Sequence, residues 1–167
     1  MKIIDNFLPD YQFKQIQSIF LGESFPWYYH EQIVNSGEDG YNSKDYFFVH
    51  GIFRNGIPSS NYYQVLQNSS LFSLLGVKEF ERIKVNLNPR TLFNKRSGWH
   101  VDYEANSEVK NTAVYYLNTC NGYTKFKKGG KVKSVENRIV IFDSQLYHQG
   151  YTCTDQKRRV VMNLNWI

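Results

Sequence analysis

The chain has 167 residues, is 41% hydrophobic and 17% aromatic, and carries a formal charge of +5. That length and apolar content suit one domain with a sizeable core, and no apolar run approaches the roughly 18 residues that a membrane-spanning helix needs. The opening Met1-Lys2-Ile3-Ile4-Asp5 lacks the apolar stretch of a secretory signal, so an intracellular protein is expected.

Two cysteines, Cys120 and Cys153, make no disulfide framework and lack the spacing of a metal-binding motif, so they read as buried or idle thiols. The positive charge suits an anionic substrate or a nucleic-acid surface, but its runs are short and interrupted, as on an ordinary solvated face.

From the N-terminus, residues 3–8 read as a short strand. Pro9-Asp10 then starts a helix with Phe13, Ile16 and Phe20 on one face, expected on the back of a sheet. Residues 23–60 are irregular and aromatic, with one strand at 46–53 between turn clusters at 35–40 and 54–58. Tyr28, Tyr29, Tyr41, Tyr46, Tyr62 and Tyr63 lie in this half and suit core or lid packing, or a substrate at a pocket mouth. A second helix spans 62–75 and closes at Gly76.

Beyond it the chain is nearly all strand. Eight candidates, 82–88, 99–103, 112–118, 123–127, 131–135, 138–142, 147–151 and 159–166, are joined by short connections. The Gly129-Gly130 centre of the basic run 125–133 suits a hairpin with its lysines in water. Eight short strands behind two helices point to a mainly β, α+β fold: a double-stranded β-helix, the jelly-roll or cupin-like barrel, with helices packed on one sheet. A single domain over 1–167 is expected, residues 1–80 forming a helical and aromatic support and 81–167 the barrel.

The chemistry gathers in the barrel half. Successive side chains of an extended segment alternate faces, so His100 and Asp102 project together and can close on one metal ion. With His148 as third ligand they form the two-histidine, one-carboxylate facial set, which leaves three adjacent coordination positions free and is the set used by non-haem Fe(II) oxygenases. His30 and His50, in aromatic surroundings, read as packed or exposed imidazoles.

Seven pieces of the chain, in order, resemble the Fe(II)/2-oxoglutarate-dependent dioxygenases, nearest the prolyl-4-hydroxylase-like branch and its small phage and bacterial members. They are Asn86-Leu87-Asn88-Pro89, Trp99-His100-Val101-Asp102, Val114-Tyr115-Tyr116-Leu117-Asn118, Gly122-Tyr123-Thr124-Lys125-Phe126, Arg138-Ile139-Val140-Ile141-Phe142-Asp143, His148, and the run 159–165 that opens with Arg159. The resemblance implies Fe(II) on His100, Asp102 and His148, with 2-oxoglutarate as co-substrate and O2 as oxidant. It implies hydroxylation of a C–H bond in a peptide or small molecule, with succinate and CO2 as co-products, in the cytoplasm of a bacterial or phage-infected cell. It also places Tyr116 beside the far carboxylate of 2-oxoglutarate, and Asn86 and Asn88 among its polar contacts. Asn88 stands where the prolyl-hydroxylase branch commonly has tyrosine, which weakens a prolyl assignment.

The far carboxylate calls for a fixed cation, and a guanidinium suits it because it stays charged and offers paired donors. Spacing from His148 admits either Arg158 or Arg159. Alternation favours Arg159: facing it inward puts Val161, Asn163 and Asn165 on the pocket side and leaves Val160, Met162, Leu164 and Trp166 to pack under the helices. Two other readings stay open. One directs the same chemistry at alkylated nucleic-acid bases, and the other is a cupin-like metal or ligand binder without turnover.

Overall fold

The computed structural model describes residues 1–31, 46–104 and 106–167. Their order is β1 (Lys2–Ile4), α1 (Asp10–Phe20), β2 (Tyr28–Glu31), β3 (Tyr46–Arg54), β4 (Ile57–Pro58), α2 (Tyr63–Gln67), α3 (Leu71–Leu75), β5 (Phe80–Pro89), β6 (Asn111–Tyr116), β7 (Tyr123–Phe126), β8 (Gly130–Lys133), β9 (Arg138–Asp143), β10 (His148–Tyr151) and β11 (Arg158–Trp166). An antiparallel sheet in the order β1-β9-β6-β11-β5-β3-β2, with β4 on β3, faces a smaller sheet β10-β7-β8. This is the expected jelly roll. The turn cluster at 35–40 and Tyr41 lie outside the described residues.

The large sheet has one dry face and one that lines a cavity, and β11 and β5 show why. On β11, Val160, Met162, Leu164 and Trp166 are buried in the main core, as are Ile83, Val85 and Leu87 of β5. Helix α1 covers that face with Phe13, Ile16 and Phe20, the period expected of a helix laid on a sheet. The alternate residues, Lys84, Asn86 and Asn88 of β5 and Arg159, Val161 and Asn163 of β11, turn to the cavity. At roughly 25 cal/mol per Å² of apolar area, each large side chain buried on the dry side contributes about 1.5–3 kcal/mol, so a slip of one residue in either strand would be heavily penalised.

Buried Asn137 joins the N-terminal segment to the barrel. Its backbone is left-handed, at φ 58°. Its amide accepts from Leu8 N–H and from the Tyr115 hydroxyl, and donates to the Leu8 carbonyl.

Three expectations need correction. The helix at 62–75 is two short helices: Asn68, Ser69 and Ser70 interrupt it, and the Ser69 hydroxyl donates to the Leu66 carbonyl, satisfying that acceptor without a continuing helix. Gly76 closes the second piece at φ 66°, as expected of a left-handed cap. The strand at 99–103 is reduced to one antiparallel bridge, His100 with His148, because Asp102 and Tyr103 turn away to donate their N–H groups to the Ser144 carbonyl. Strands β2 and β4 fall within the irregular aromatic stretch. β4 is the return arm of a tight hairpin whose Asn55 and Gly56 take φ 50° and 78°.

The hairpin of β7 and β8 turns at Gly129 and Gly130, φ 117° and 83°, with Lys125, Lys131 and Lys133 exposed and Phe126 and Val132 buried. No described helix is long and apolar enough to cross a membrane.

Candidate active site

His100 and His148 face each other because their backbones pair, each N–H donating to the other's carbonyl at 3.0 Å. Their rings lie 4.5 Å apart between centroids. Asp102 arrives two residues after His100. One ligand atom from each of His100, Asp102 and His148 lies within 4.8 Å of the others.

The protonation pattern suits a metal. His148 Nδ1 lies 2.9 Å from the Leu146 carbonyl and His100 Nδ1 lies 3.2 Å from that of Gly98. A carbonyl only accepts, so each Nδ1 carries a proton, which leaves Nε2 as the nitrogen placed to ligate. Burial, reinforced by the charge of His148, pushes His100 down to about 4, which holds the ring neutral. Burial alone would raise Asp102, but the charges of His148 and Arg82 outweigh it and hold the carboxyl at about 2. A neutral His100 and an ionised Asp102 are in the forms that ligate.

Asp102 is held from behind. Arg82 Nη2 donates to Oδ1 at 3.1 Å, and Asn165 Nδ2 donates to Oδ2 at 3.3 Å and to Thr112 Oγ1 at 2.8 Å. Such outer contacts orient a ligand carboxylate.

The cavity beside this trio has a volume of about 610 Å³. At one end stands Arg159, only 3% exposed. Its Nε donates to Ser134 Oγ at 2.7 Å and its Nη2 to Thr124 Oγ1 at 3.0 Å, while the guanidinium lies over the Tyr116 ring at 5.6 Å. All are neutral partners, and among the described residues no carboxylate pairs with Arg159. A buried guanidinium without a counter-ion is costly, and the cavity end it faces is where an anion would offset that cost. Gly122 makes the room: a Cβ there would lie 2.6 Å from Arg159 Cδ and 2.8 Å from the Tyr151 carbonyl oxygen.

Arg158 goes the other way, its Nη2 donating to the Leu21 carbonyl just past helix α1. Tyr116 is fully buried beneath Arg159, and its hydroxyl donates to Thr124 Oγ1 at 2.9 Å, so Thr124 rather than Tyr116 lines the cavity. Asn86 and Asn88 both line it, and the buried Oδ1 atoms of Asn86 and Asn163 have no partner among the described residues.

By sequence, no protein-family model and no curated protein matches the chain. By structure the likeness spans nearly the whole chain. A 2OG-Fe(II) oxygenase-family oxidoreductase from Burkholderia pseudomallei superposes with a TM-score of 0.65 at 12% identity, over 98% of this chain and 84% of that one. A prolyl hydroxylase from Trichoplax adhaerens, solved with a hypoxia inducible factor peptide, gives 0.66 at 16% identity, over 99% and 82%. A prolyl-4-hydroxylase from Pseudomonas putida gives 0.61 at 16%, over 99% and 91%. The chain has the fold of the 2OG-Fe(II) oxygenases.

Several residues escaped the sequence reading. Arg82 and Lys84 line the cavity together with Asn86 and Asn88. Their signal was present as a polar row alternating with Ile83, Val85 and Leu87. Thr124 and Ser134, which hold Arg159, left no such mark, since they come from separate places in the chain. The cysteines are also closer than their spacing suggests: Cys120, Cys153 and Asp155 bring ligand atoms within 4.8 Å of one another. Both thiols are free and buried, and burial pushes Cys153 up to about 11, so that thiol stays protonated. His50 is satisfied by the Pro26 carbonyl and Ser60 Oγ at 2.8 Å each, while His30 is exposed on the cavity rim.

Proposed function

We propose that this protein is an Fe(II)- and 2-oxoglutarate-dependent dioxygenase that hydroxylates a C–H bond of a peptide or small molecule, forming succinate and CO2. The observation that carries the reading is a pairing inside one cavity: the cluster of His100, Asp102 and His148 at one point, and at another a buried guanidinium that lacks a counter-carboxylate among the described residues. The donor set fits the metal. Nitrogen and carboxylate ligands numbering three leave room for a chelating co-substrate and O2, whereas a purely structural zinc is usually closed by four protein ligands.

His100, Asp102 and His148 would hold the iron, and Arg159 would take the far carboxylate of 2-oxoglutarate. When bound with its co-substrate and O2, the iron supplies the oxidising power that a C–H bond requires. The chain's own residues position and shield. The Leu146 and Gly98 carbonyls orient both imidazoles with Nε2 toward the metal position, Arg82 helps keep Asp102 ionised, and Arg82 and Asn165 together orient it. Thr124 and Ser134 aim Arg159. Phe142, packed on His148 with ring centroids 4.8 Å apart, keeps water from one side of the site.

The Trichoplax adhaerens neighbour is in complex with a peptide fragment. That supports a peptide as one substrate class here, with the mouth near β2 and β3 as its approach. Conversion of 2-oxoglutarate to succinate, dependent on added Fe(II) and lost in His148→Ala, tests the reading. Succinate formation that ignores iron or survives the substitution refutes it.

A further inference from the structure

The cavity holds more positive charge than the co-substrate can use. Arg82, Lys84 and Arg54 all line it on the side away from Arg159. Register sets the separation: Asn88 lies opposite Arg159 and Lys84 lies opposite Asn163. Four residues along β5 amount to about 13 Å, longer than a five-carbon diacid bound at Arg159 can span with its far carboxylate.

Lys84 is the informative member. It sits mid-strand on the inner face of the large sheet, and among the described residues its ammonium has neither a hydrogen bond nor an ion pair. Asp102, a carboxylate of the same cavity, is engaged by Arg82 and Asn165. Leaving a cation in such a place carries a desolvation cost that a short apolar residue would avoid. Arg82 is paired with Asp102 and stacks over Tyr103 at 5.2 Å, while Arg54 is exposed at the mouth. Among the described residues the rim residue Glu31 is the other carboxylate lining the cavity, and it is exposed, where water screens it.

Charge balance sharpens the point. With a divalent metal and 2-oxoglutarate in place, the metal, Asp102, both co-substrate carboxylates and Arg159 cancel, which leaves Arg82, Lys84 and Arg54 along the described lining with only the exposed Glu31 against them. We infer that the primary substrate carries a carboxylate or phosphate group close to the bond that reacts, and that Lys84 and Arg54 bind that group. The inference rests on the oxygenase reading and narrows it to anionic substrates. Lys84 and Arg54 are binding residues in this account, with no part in holding metal or co-substrate.

The test uses the full chain loaded with Zn(II), which binds without turnover, and saturated with 2-oxoglutarate so that the Arg159 end is filled. L-aspartate and O-phospho-L-serine are titrated by calorimetry against their neutral counterparts, L-asparagine and L-serine. The acidic members should bind at least about tenfold more tightly. Lys84→Met should erase that preference, Lys84→Arg should retain it, and neither should change 2-oxoglutarate affinity more than about twofold. Preference for the phosphoserine alone assigns a phosphate, and for aspartate alone a carboxylate.

Equal binding of acidic and neutral probes overturns the inference. So does a Lys84→Met protein that loses 2-oxoglutarate as severely as Arg159→Ala, because Lys84 would then belong to the co-substrate. Wild-type protein that binds no 2-oxoglutarate refutes the oxygenase reading instead, and the acidic-over-neutral contrast is measured separately from it.

Discussion

The two ends of the cavity treat a buried cation differently. At the inner end Arg159 is clamped by Thr124, Ser134 and the face of Tyr116, a rigid seat made of neutral groups. At the outer end Lys84 has no acceptor among the described residues and lies two positions along β5 from the paired Arg82, whose cross-strand neighbour is the exposed Arg54. A clamped guanidinium is organised before its ligand arrives, so little freedom is lost on binding one planar carboxylate. A flexible ammonium in a roomy mouth adapts to its ligand. The first end therefore suits a fixed co-substrate and the second suits choice among substrates.

Substitutions can break that contrast. Arg159→Ala should have the largest effect, raising the 2-oxoglutarate requirement by about 30-fold or more, since losing a buried charged partner costs roughly 2–5 kcal/mol. Arg158→Ala, which removes only a contact with the Leu21 carbonyl, should leave it nearly unchanged. The same shift from both would show that the inner seat is misassigned.

Gly122→Ala is the subtler probe of the clamp. Its new methyl would press on Arg159 Cδ at 2.6 Å and on backbone at 2.8 Å. A forced displacement of about 1–3 kcal/mol should weaken 2-oxoglutarate binding by about tenfold while metal binding persists. Unchanged co-substrate affinity would mean that the seat is looser than its contacts imply.

The outer end gives the smallest effect, in stability. Burial, together with the charge of Arg82, pushes Lys84 down to about 8. A lysine whose folded pKa is depressed destabilises the fold while it is protonated, and that penalty lifts as pH rises from about 8 toward the unfolded value. Metal-free Lys84→Met should therefore be more stable than wild type at pH 7 by about 1–2 kcal/mol, with the gap closing by about pH 10. Denaturant midpoints at the two pH values measure it. A gap independent of pH would show that Lys84 is not a buried cation.

How legible this was depended on the kind of signal. Alternation along 159–166 fixed which face of β11 meets the core, and with it the inward Arg159, because a period of two is written directly in the residues. The trio His100, Asp102 and His148 was legible for a different reason, since local spacing joined the first two and motif order supplied the third. The clamp of Thr124 and Ser134 was not legible, because it exists only once the β7–β8 hairpin folds over β11. The break at 68–70 was missed because the apolar spacing of 62–75 continues across it, while the Ser69 hydroxyl that competes with the helix adds nothing to the periodicity. Arg82 and Lys84 were visible as part of an alternating row, but their significance needed the cavity.

The most direct test of the metal and co-substrate site is anaerobic addition of Fe(II) and 2-oxoglutarate to the intact protein, followed by visible absorption. The account predicts the weak charge-transfer band of an iron-bound 2-keto acid in wild type, absent from His100→Ala and Asp102→Ala. No band in folded wild-type protein, or one that persists undiminished in both variants, would contradict it.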